Sequence, residues 1–327
     1  MDRFKVPVVG VDIGGTKIIA AVFDTDGAML SRIHCLTRGS EGPNSVINRL
    51  SAAIINAIEK SGLKRKQVGC VGIAVAGAID INRGLVGDSP NIPHWHNIPL
   101  RDRLVKSLGG PIFMLNDANA AALAEHRLGA GRGLNNMIYI TVSTGIGGGM
   151  IINGELYQGT DGSAAEIGHM IIKIGGPLCK CGKHGCFEAM ASGTAIARLA
   201  KSRLRRGEKS IMPGLVHDKV SNVTAETVAA AARKGDTLAL AIIEESAGYL
   251  GIGIANLVNL MNPQMIIIGG GVSKMGEMLL KPTRKSMKAN SIELPVSSVR
   301  LVRPGLGVDA ELTGAALYAR EMLGTKA

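Results

Sequence analysis

Three of the chain's five cysteines fall within eight residues, Cys179-Lys-Cys181-Gly-Lys-His-Gly-Cys186, and His169 lies ten residues upstream. Thiolates joined by one imidazole are the donor set of a tetrahedral zinc ion. A disulfide between Cys179 and Cys181 would close a strained ring, and buried core thiols have no reason to lie in a polar loop carrying Lys180, Gly182, Lys183 and Gly185. We therefore read His169, Cys179, Cys181 and Cys186 as ligands of a structural zinc, a set with no open coordination position. Glu166 and Glu188 bracket the cluster. A purely structural knot does not need them, so the metal is expected to hold polar side chains against a ligand.

Two glycine-rich stretches carry the types needed for phosphate chemistry. Asp12-Ile-Gly14-Gly15-Thr16-Lys17 follows an apolar strand, Val6 to Val11, and precedes a second, Ile18 to Phe23, with a turn at Asp26-Gly27. The order Gly-Thr-Lys and the strand that follows exclude a Walker A loop. Two readings stand: a hairpin whose backbone N–H groups face an anion, with Asp12 placed for a hydrated magnesium ion, or an ordinary tight turn. The same plan returns in strand Met137 to Ser143, Thr144-Gly145-Ile-Gly147-Gly148-Gly149, strand Met150 to Ile152 and the turn Asn153-Gly154. This repeat implies two lobes on one plan and raises both loops above the tight-turn reading. Gly145-x-Gly147-x-Gly149 matches a dinucleotide fingerprint only weakly, because a strand follows it. A third run, Gly269-Gly270-Gly271 after strand Gln264 to Ile268, suits an adenine or ribose lying on bare backbone; a loose strand-to-helix turn explains it almost as well.

The strand Pro111 to Leu115 delivers Asn116-Asp117 to the start of a helix, where ligands of open α/β sheets bind. Asp117 is then either a helix cap or a general base. Asn116 before it, with an amide free to orient a hydroxyl, favours the base.

These residues need strands and helices to hold them, and 327 residues exceed what one core usually serves. Apolar periodicity predicts helices over Pro43 to Lys60, Thr194 to Arg206, Thr224 to Lys234, from Asp236 to about Met261, and Gly305 to Leu323. The expected organisation is an α/β small lobe over 1–117, completed by 305–327, and a large α/β lobe over 118–304 that holds the zinc. The hydrophobic share is 46% and the aromatic share 3%. So few aromatics leave little for base stacking, and despite a net charge of +11 we expect no nucleic-acid partner. The basic runs Leu63 to Lys66 and Lys201 to Arg206 read as solvated helix ends, while a positive field suits an anionic small substrate. The only tryptophan, in Ser89-Pro-Asn-Ile-Pro-His-Trp95, either stacks on a sugar or plugs a core edge. Met1 to Lys5 leads into an apolar run too short for a signal peptide, and no apolar segment is expected to reach the roughly 18 residues of a membrane span. Reduced cysteines complete the expectation of a soluble cytoplasmic protein.

Taken together, Asp12-Ile-Gly-Gly-Thr-Lys17, Asn116-Asp-Ala-Asn119, Ser143-Thr-Gly-Ile-Gly-Gly-Gly149, Glu166-Ile-Gly-His169 and the Cys179 to Glu188 segment resemble the ROK family of repressors, open reading frames and sugar kinases. The resemblance is nearest to the bacterial-type glucokinases and covers nearly the whole chain. It implies an actin-like, ribonuclease-H-like fold of two lobes around a cleft, and it assigns roles. Asp117 is the general base toward a sugar hydroxyl; Asn116, Asp117, Glu166, His169 and Glu188 bind sugar, with His169 also on the zinc. Asp12, Gly14, Gly15, Thr16, Lys17, Thr144, Gly145, Gly147, Gly148, Gly270 and Gly271 hold Mg-ATP. The family's repressors carry a DNA-binding domain ahead of the first motif; with eleven residues before Asp12 the kinase branch is expected. The implied activity is transfer of the γ-phosphate of ATP to the 6-hydroxyl of glucose, by a homodimer or homotetramer. Mannose, fructose, N-acetylglucosamine and N-acetylmannosamine remain open as acceptors, as does polyphosphate as donor. A non-catalytic sugar sensor would have no use for Asp12, Asp117 and two intact hairpins, and a dinucleotide oxidoreductase conflicts with their strand context. One departure from the family pattern is Ala165, where glycine is common and a methyl is expected to be tolerated. Another is Ala76-Gly77-Ala78.

Overall fold

The computed structural model describes residues 6–87 and 92–325, so Met1 to Lys5 and the start of the proline-rich loop lie outside the described residues. In chain order the first elements are β1 (Val8–Ile13), β2 (Lys17–Phe23), β3 (Met29–Leu36), α1 (Pro43–Lys60), β4 (Cys70–Val75), β5 (Ile79–Asp80), β6 (Leu85–Val86), α2 (Leu100–Leu108), β7 (Ile112–Asn116) and α3 (Asp117–Arg127). There follow β8 (Met137–Val142), β9 (Ile146–Ile152), β10 (Glu155–Tyr157), α4 (Phe187–Ala191), α5 (Gly193–Arg205), α6 (Ala225–Arg233) and α7 (Thr237–Met261). The last are β11 (Met265–Gly269), α8 (Glu277–Asn290), α9 (Glu293–Ser298), β12 (Arg300–Val302) and α10 (Ala310–Gly324).

Two five-stranded sheets share one plan, β3-β2-β1-β4-β7 and β10-β9-β8-β11-β12. In the first, β1 runs antiparallel to β2 and parallel to β4, which runs parallel to β7. In the second, β8 and β12 both run parallel to β11. The doubled topology is the physical content of the sequence repeat. One detail differs: the loop expected over 144–149 is shorter, because β9 begins at Ile146 and three of the glycines lie within the strand.

The chain divides into two compact units, one of residues 1–133, 149–165 and 305–327, the other of 134–148 and 166–304. The expected division at 117 would have opened the second unit with α3, but α3 belongs to the first because of how closely α10 packs. A Cβ at Gly314 would stand 1.8 Å from the carbonyl oxygen of Ala120, and one at Gly72 would stand 1.9 Å from that of Ala315. Bare backbone at Gly314 thus lets α10 press on α3, and at Gly72 it lets β4 receive α10. The core of this unit is aliphatic, and Trp95, 3% exposed, belongs to it. Of the two readings of the tryptophan, the core plug is the one observed.

In the second unit α7 packs against α4, α5, α6, α8 and α9. Its 25 residues meet the length and composition of a membrane span, which corrects the expectation that no apolar segment reaches that length. The apolar window of α7 is 61% buried inside the unit, as a central helix requires.

Candidate functional site

Within the second unit the ligand atoms of His169, Cys179, Cys181 and Cys186 all lie within 4.8 Å of one another. The Cys181 and Cys186 sulfurs are 3.6 Å apart, too far for a disulfide and near the roughly 3.8 Å edge of a tetrahedron with Zn–S of about 2.3 Å. The Cys179 sulfur lies 3.8 Å from Nδ1 of His169, so Nδ1 faces the thiols. The ring's other nitrogen, Nε2, lies 3.9 Å from Oε2 of Glu166. Backbone geometry builds the cluster: the Cys179 N–H donates to the Lys183 carbonyl and the Gly182 N–H to that of Cys179, closing a tight knuckle. Burial pushes the Cys186 thiol up to about 12 and raises that of Cys179, whereas the Lys183 backbone N–H holds Cys181 below its ordinary value. The donor set and spacing fit zinc, which takes thiolates and therefore displaces protons from these groups.

Glu188, on the first turn of α4, joins this cluster to the glycine hairpin. Its Oε2 accepts the Ile146 N–H at 3.0 Å, and its Oε1 lies 3.9 Å from the Cys179 sulfur. Gly145 makes that possible, since a Cβ there would stand 2.2 Å from Oε2. Glycine at 145 thus serves a side chain of the same unit. The hairpin tip is held further by the start of α5: the Gly193 N–H donates to the Ser143 carbonyl, and Thr194 Oγ1 to that of Thr144. Burial and the charge of Glu188 raise the pKa of Glu166, while His169 acts in the opposite direction. At the end of β11, Gly270 has φ +83°, and a Cβ on it would collide with the Val142 carbonyl, so the turn itself demands this glycine. Gly271 is different: a Cβ there would meet only Ser143 Oγ at 3.8 Å, leaving its backbone approachable.

Within the first unit, β1 and β2 pair out to Ile13 and Ile18, and the Gly14 N–H closes the turn on the Lys17 carbonyl. Thr37 braces it, its N–H donating to Thr16 and its hydroxyl to the Gly14 carbonyl. Gly14 has no positive φ, and a Cβ there would meet only Lys17 oxygen at 3.9 Å. Neither turn geometry nor packing calls for glycine at 14; what it provides is open backbone. Gly15 is half-buried and Thr16 exposed at the same tip. Asp12, with 13% of its side chain exposed, lies 3.6 Å from Lys17 Nζ. Burial raises its pKa, Lys17 opposes the rise and Asp309 adds to it. Glu311, which sequence reasoning did not single out, is pushed up to about 7 by burial together with the charges of Asp12 and Asp309. Asp309 is paired with Arg32 at 2.9 Å, and the carboxyl oxygens of Asp12 and Glu311 are hard donors of the kind that fit a magnesium ion.

Asn116 ends β7 and caps α3, its side-chain oxygen accepting the N–H groups of Ala118 and Asn119. Its amide donates to the Gly77 carbonyl at 3.1 Å, so that group is engaged rather than free as expected. The cap reading weighed for Asp117 thus falls to Asn116. Asp117 is the first residue of the helix, half-buried, with Oδ1 accepting the Ala118 N–H. Ala165 has φ +66°. This is a backbone conformation that favours glycine, so the methyl expected to be tolerated here carries left-handed strain.

The ROK family matches residues 8–322 of the chain. A glucokinase from Thermotoga maritima is 38% identical, covering 98% of this chain and 99% of its own length. The crystal structure of a ROK family glucokinase from Streptomyces griseus in complex with glucose and AMPPNP is 40% identical with TM-score 0.83, covering 96% and 99% of the two chains. A xylose repressor from Bacillus spizizenii is 33% identical, over 92% of this chain and 76% of its own.

Proposed function

This chain belongs to the ROK family, and from that premise we propose that it is an ATP-dependent glucokinase, transferring the γ-phosphate of Mg-ATP to the 6-hydroxyl of glucose. The observation that carries the reading is the junction at Glu188, one carboxylate held by the glycine hairpin and reaching the thiol cluster, beside Glu166 and His169. Two carboxylates and an imidazole fixed in this way form a hydrogen-bonding face for a polyol.

In the proposed transfer the sugar O6 attacks the γ-phosphorus, the bond to the β,γ-bridging oxygen breaks, and ADP leaves. Asp117 takes the O6 proton. Alignment and charge stabilisation supply most of the rate in such reactions. Asn116, Glu166, His169 and Glu188 hold sugar hydroxyls; the open backbone at Gly14 and Gly15, with Thr16 and Lys17, receives phosphate, and Thr144, Gly147, Gly148 and Gly271 serve the nucleotide. Gly145 enters through Glu188, and Gly270 through the turn it permits. Asp12 is the residue that would hold magnesium, which spreads the phosphate charge. His169, Cys179, Cys181 and Cys186 would hold zinc, which fixes the imidazole through Nδ1 and leaves Nε2 toward the sugar. Thiolates and ATP both suit a reducing intracellular setting, which is part of the proposal, as is a homodimer or homotetramer.

The test is ADP release with Mg-ATP across glucose, mannose, fructose, N-acetylglucosamine and N-acetylmannosamine, with the product's phosphate position read by ³¹P NMR. Glucose 6-phosphate as the preferred product supports the proposal. The similarity to a xylose repressor favours one other reading, a sugar sensor; sugar binding without ADP release from any acceptor would select it.

A further inference from the structure

Glu125 lies in the last turns of α3, at the far end from Asp117, and is wholly buried. A carboxylate removed from water needs donors, and backbone amides supply them. Oε2 accepts the N–H groups of Ala130 and Gly305, and Oε1 that of Leu306, each at 2.9 Å. The residue's own carbonyl accepts the N–H groups of Gly129 and Gly131 at 3.0 and 2.9 Å. Glycines make room for this clasp: a Cβ at Gly129 would stand 2.2 Å from Oε2, and one at Gly305 would stand 2.9 Å from the Ala130 nitrogen. The two segments so fastened have a particular place in the chain. It first leaves the first unit after Gly133 and last re-enters it at Gly305.

We propose that Glu125 is a positioning residue for phosphoryl transfer: it ties the first and last chain passages between the units to the helix that bears Asp117. Movement of those passages on ligand binding is thereby transmitted to the general base, and the base stays in register with them. This inference rests on the glucokinase reading. A buried carboxylate that accepts backbone N–H groups suits the task because it grips the main chain of two loops at once, and the glycines at 129 and 305 let that main chain approach.

Glu125→Gln keeps the size but replaces an acceptor oxygen with an NH₂ that faces a donor N–H. Gly305→Ala leaves Glu125 intact and wedges the clasp open, which covers the case in which the first variant does not fold. Amide hydrogen exchange in the full-length protein, read on peptides spanning 129–131 and 304–307 with and without glucose, is to be paired with steady-state kinetics. We expect exchange there to rise about tenfold or more and kcat to fall about tenfold, with KM for glucose within about threefold. A residue that only supported the fold would lower the melting temperature and leave kcat of the folded variant unchanged. Unaltered exchange, or faster exchange with wild-type kcat in a folded variant, would overturn the inference. Should the wild-type protein itself show no turnover on any sugar, the glucokinase reading fails separately. The clasp then stands if glucose slows exchange at 129–131 and 304–307 in wild type but not in the variant, and falls if both respond alike.

Discussion

Gly145→Ala tests the junction between the hairpin and the thiol cluster. The added Cβ would stand 2.2 Å from Glu188 Oε2 and 3.1 Å from its carboxyl carbon. Carbon–oxygen contacts below about 3.2 Å are repulsive, so the carboxylate must retreat by about 1 Å. That stretches the Ile146 N–H bond, now 3.0 Å, beyond hydrogen-bonding range. A hydrogen bond to a charged acceptor is worth about 1.5–3 kcal/mol, and a 1 Å misplacement of a binding group costs about a hundredfold, near 2.7 kcal/mol; the two routes agree. We therefore expect kcat/KM for glucose to fall about a hundredfold, with bound metal and circular dichroism unchanged. Glucose affinity by calorimetry and steady-state ADP release are the assays, run also in a Glu188→Ala background. There the clash has no partner, and Gly145→Ala should cost less than about threefold. A hundredfold loss in both backgrounds, or none in the first, would refute the assigned cause.

Ala165→Gly should raise the urea midpoint by the equivalent of about 0.5–1 kcal/mol, the left-handed strain relieved less the extra entropy of unfolded glycine; a lowered midpoint would mean that the φ of +66° is not strained. Glu311 has its pKa near 7 in the folded protein against 4.5 for an ordinary glutamate. Between those values the folded chain holds a proton that the unfolded chain has released, so without magnesium this group's contribution to stability falls as pH rises, by at most about 3 kcal/mol. Urea titrations at several pH values should show a flatter profile in Glu311→Gln, and superimposable profiles would remove Glu311 from the charged cluster. Cys181→Ser should lower both zinc content, read by metal analysis, and glucose affinity, since in the proposed site the metal would fix His169; loss of metal with an unchanged glucose KM would uncouple the two.

The paired hairpins were legible because glycines, an acid and a turn residue recur in the same order between apolar runs, and the two sheets carry that repeat into three dimensions. The thiol cluster was legible because its ligands are close in sequence and rare in type. What escaped depends on contacts between distant positions. Glu125 meets amides 180 and 181 positions away, and within an alanine-rich helix it looks like a surface glutamate. Glu311 is equally unremarkable until α10 brings it beside Asp12. Placing α3 with the first unit required knowing that Gly314 lets α10 touch it. That Asn116 and not Asp117 caps the helix was not legible, since both residue types cap helices well and the sequence left the cap open beside the general-base reading it favoured for Asp117. The membrane-span length of α7 was missed because Glu244 and Glu245 interrupt its apolar pattern without breaking the helix.

The most direct test of the proposed chemistry is glucose-dependent ADP release with Mg-ATP, measured side by side for the wild-type protein and Asp117→Asn. The variant keeps the size of Asp117 but has no carboxylate to take the proton, so turnover should fall by about 10²–10⁴-fold while glucose still binds. Glucose-dependent ADP release that survives in Asp117→Asn at near the wild-type rate would contradict the account.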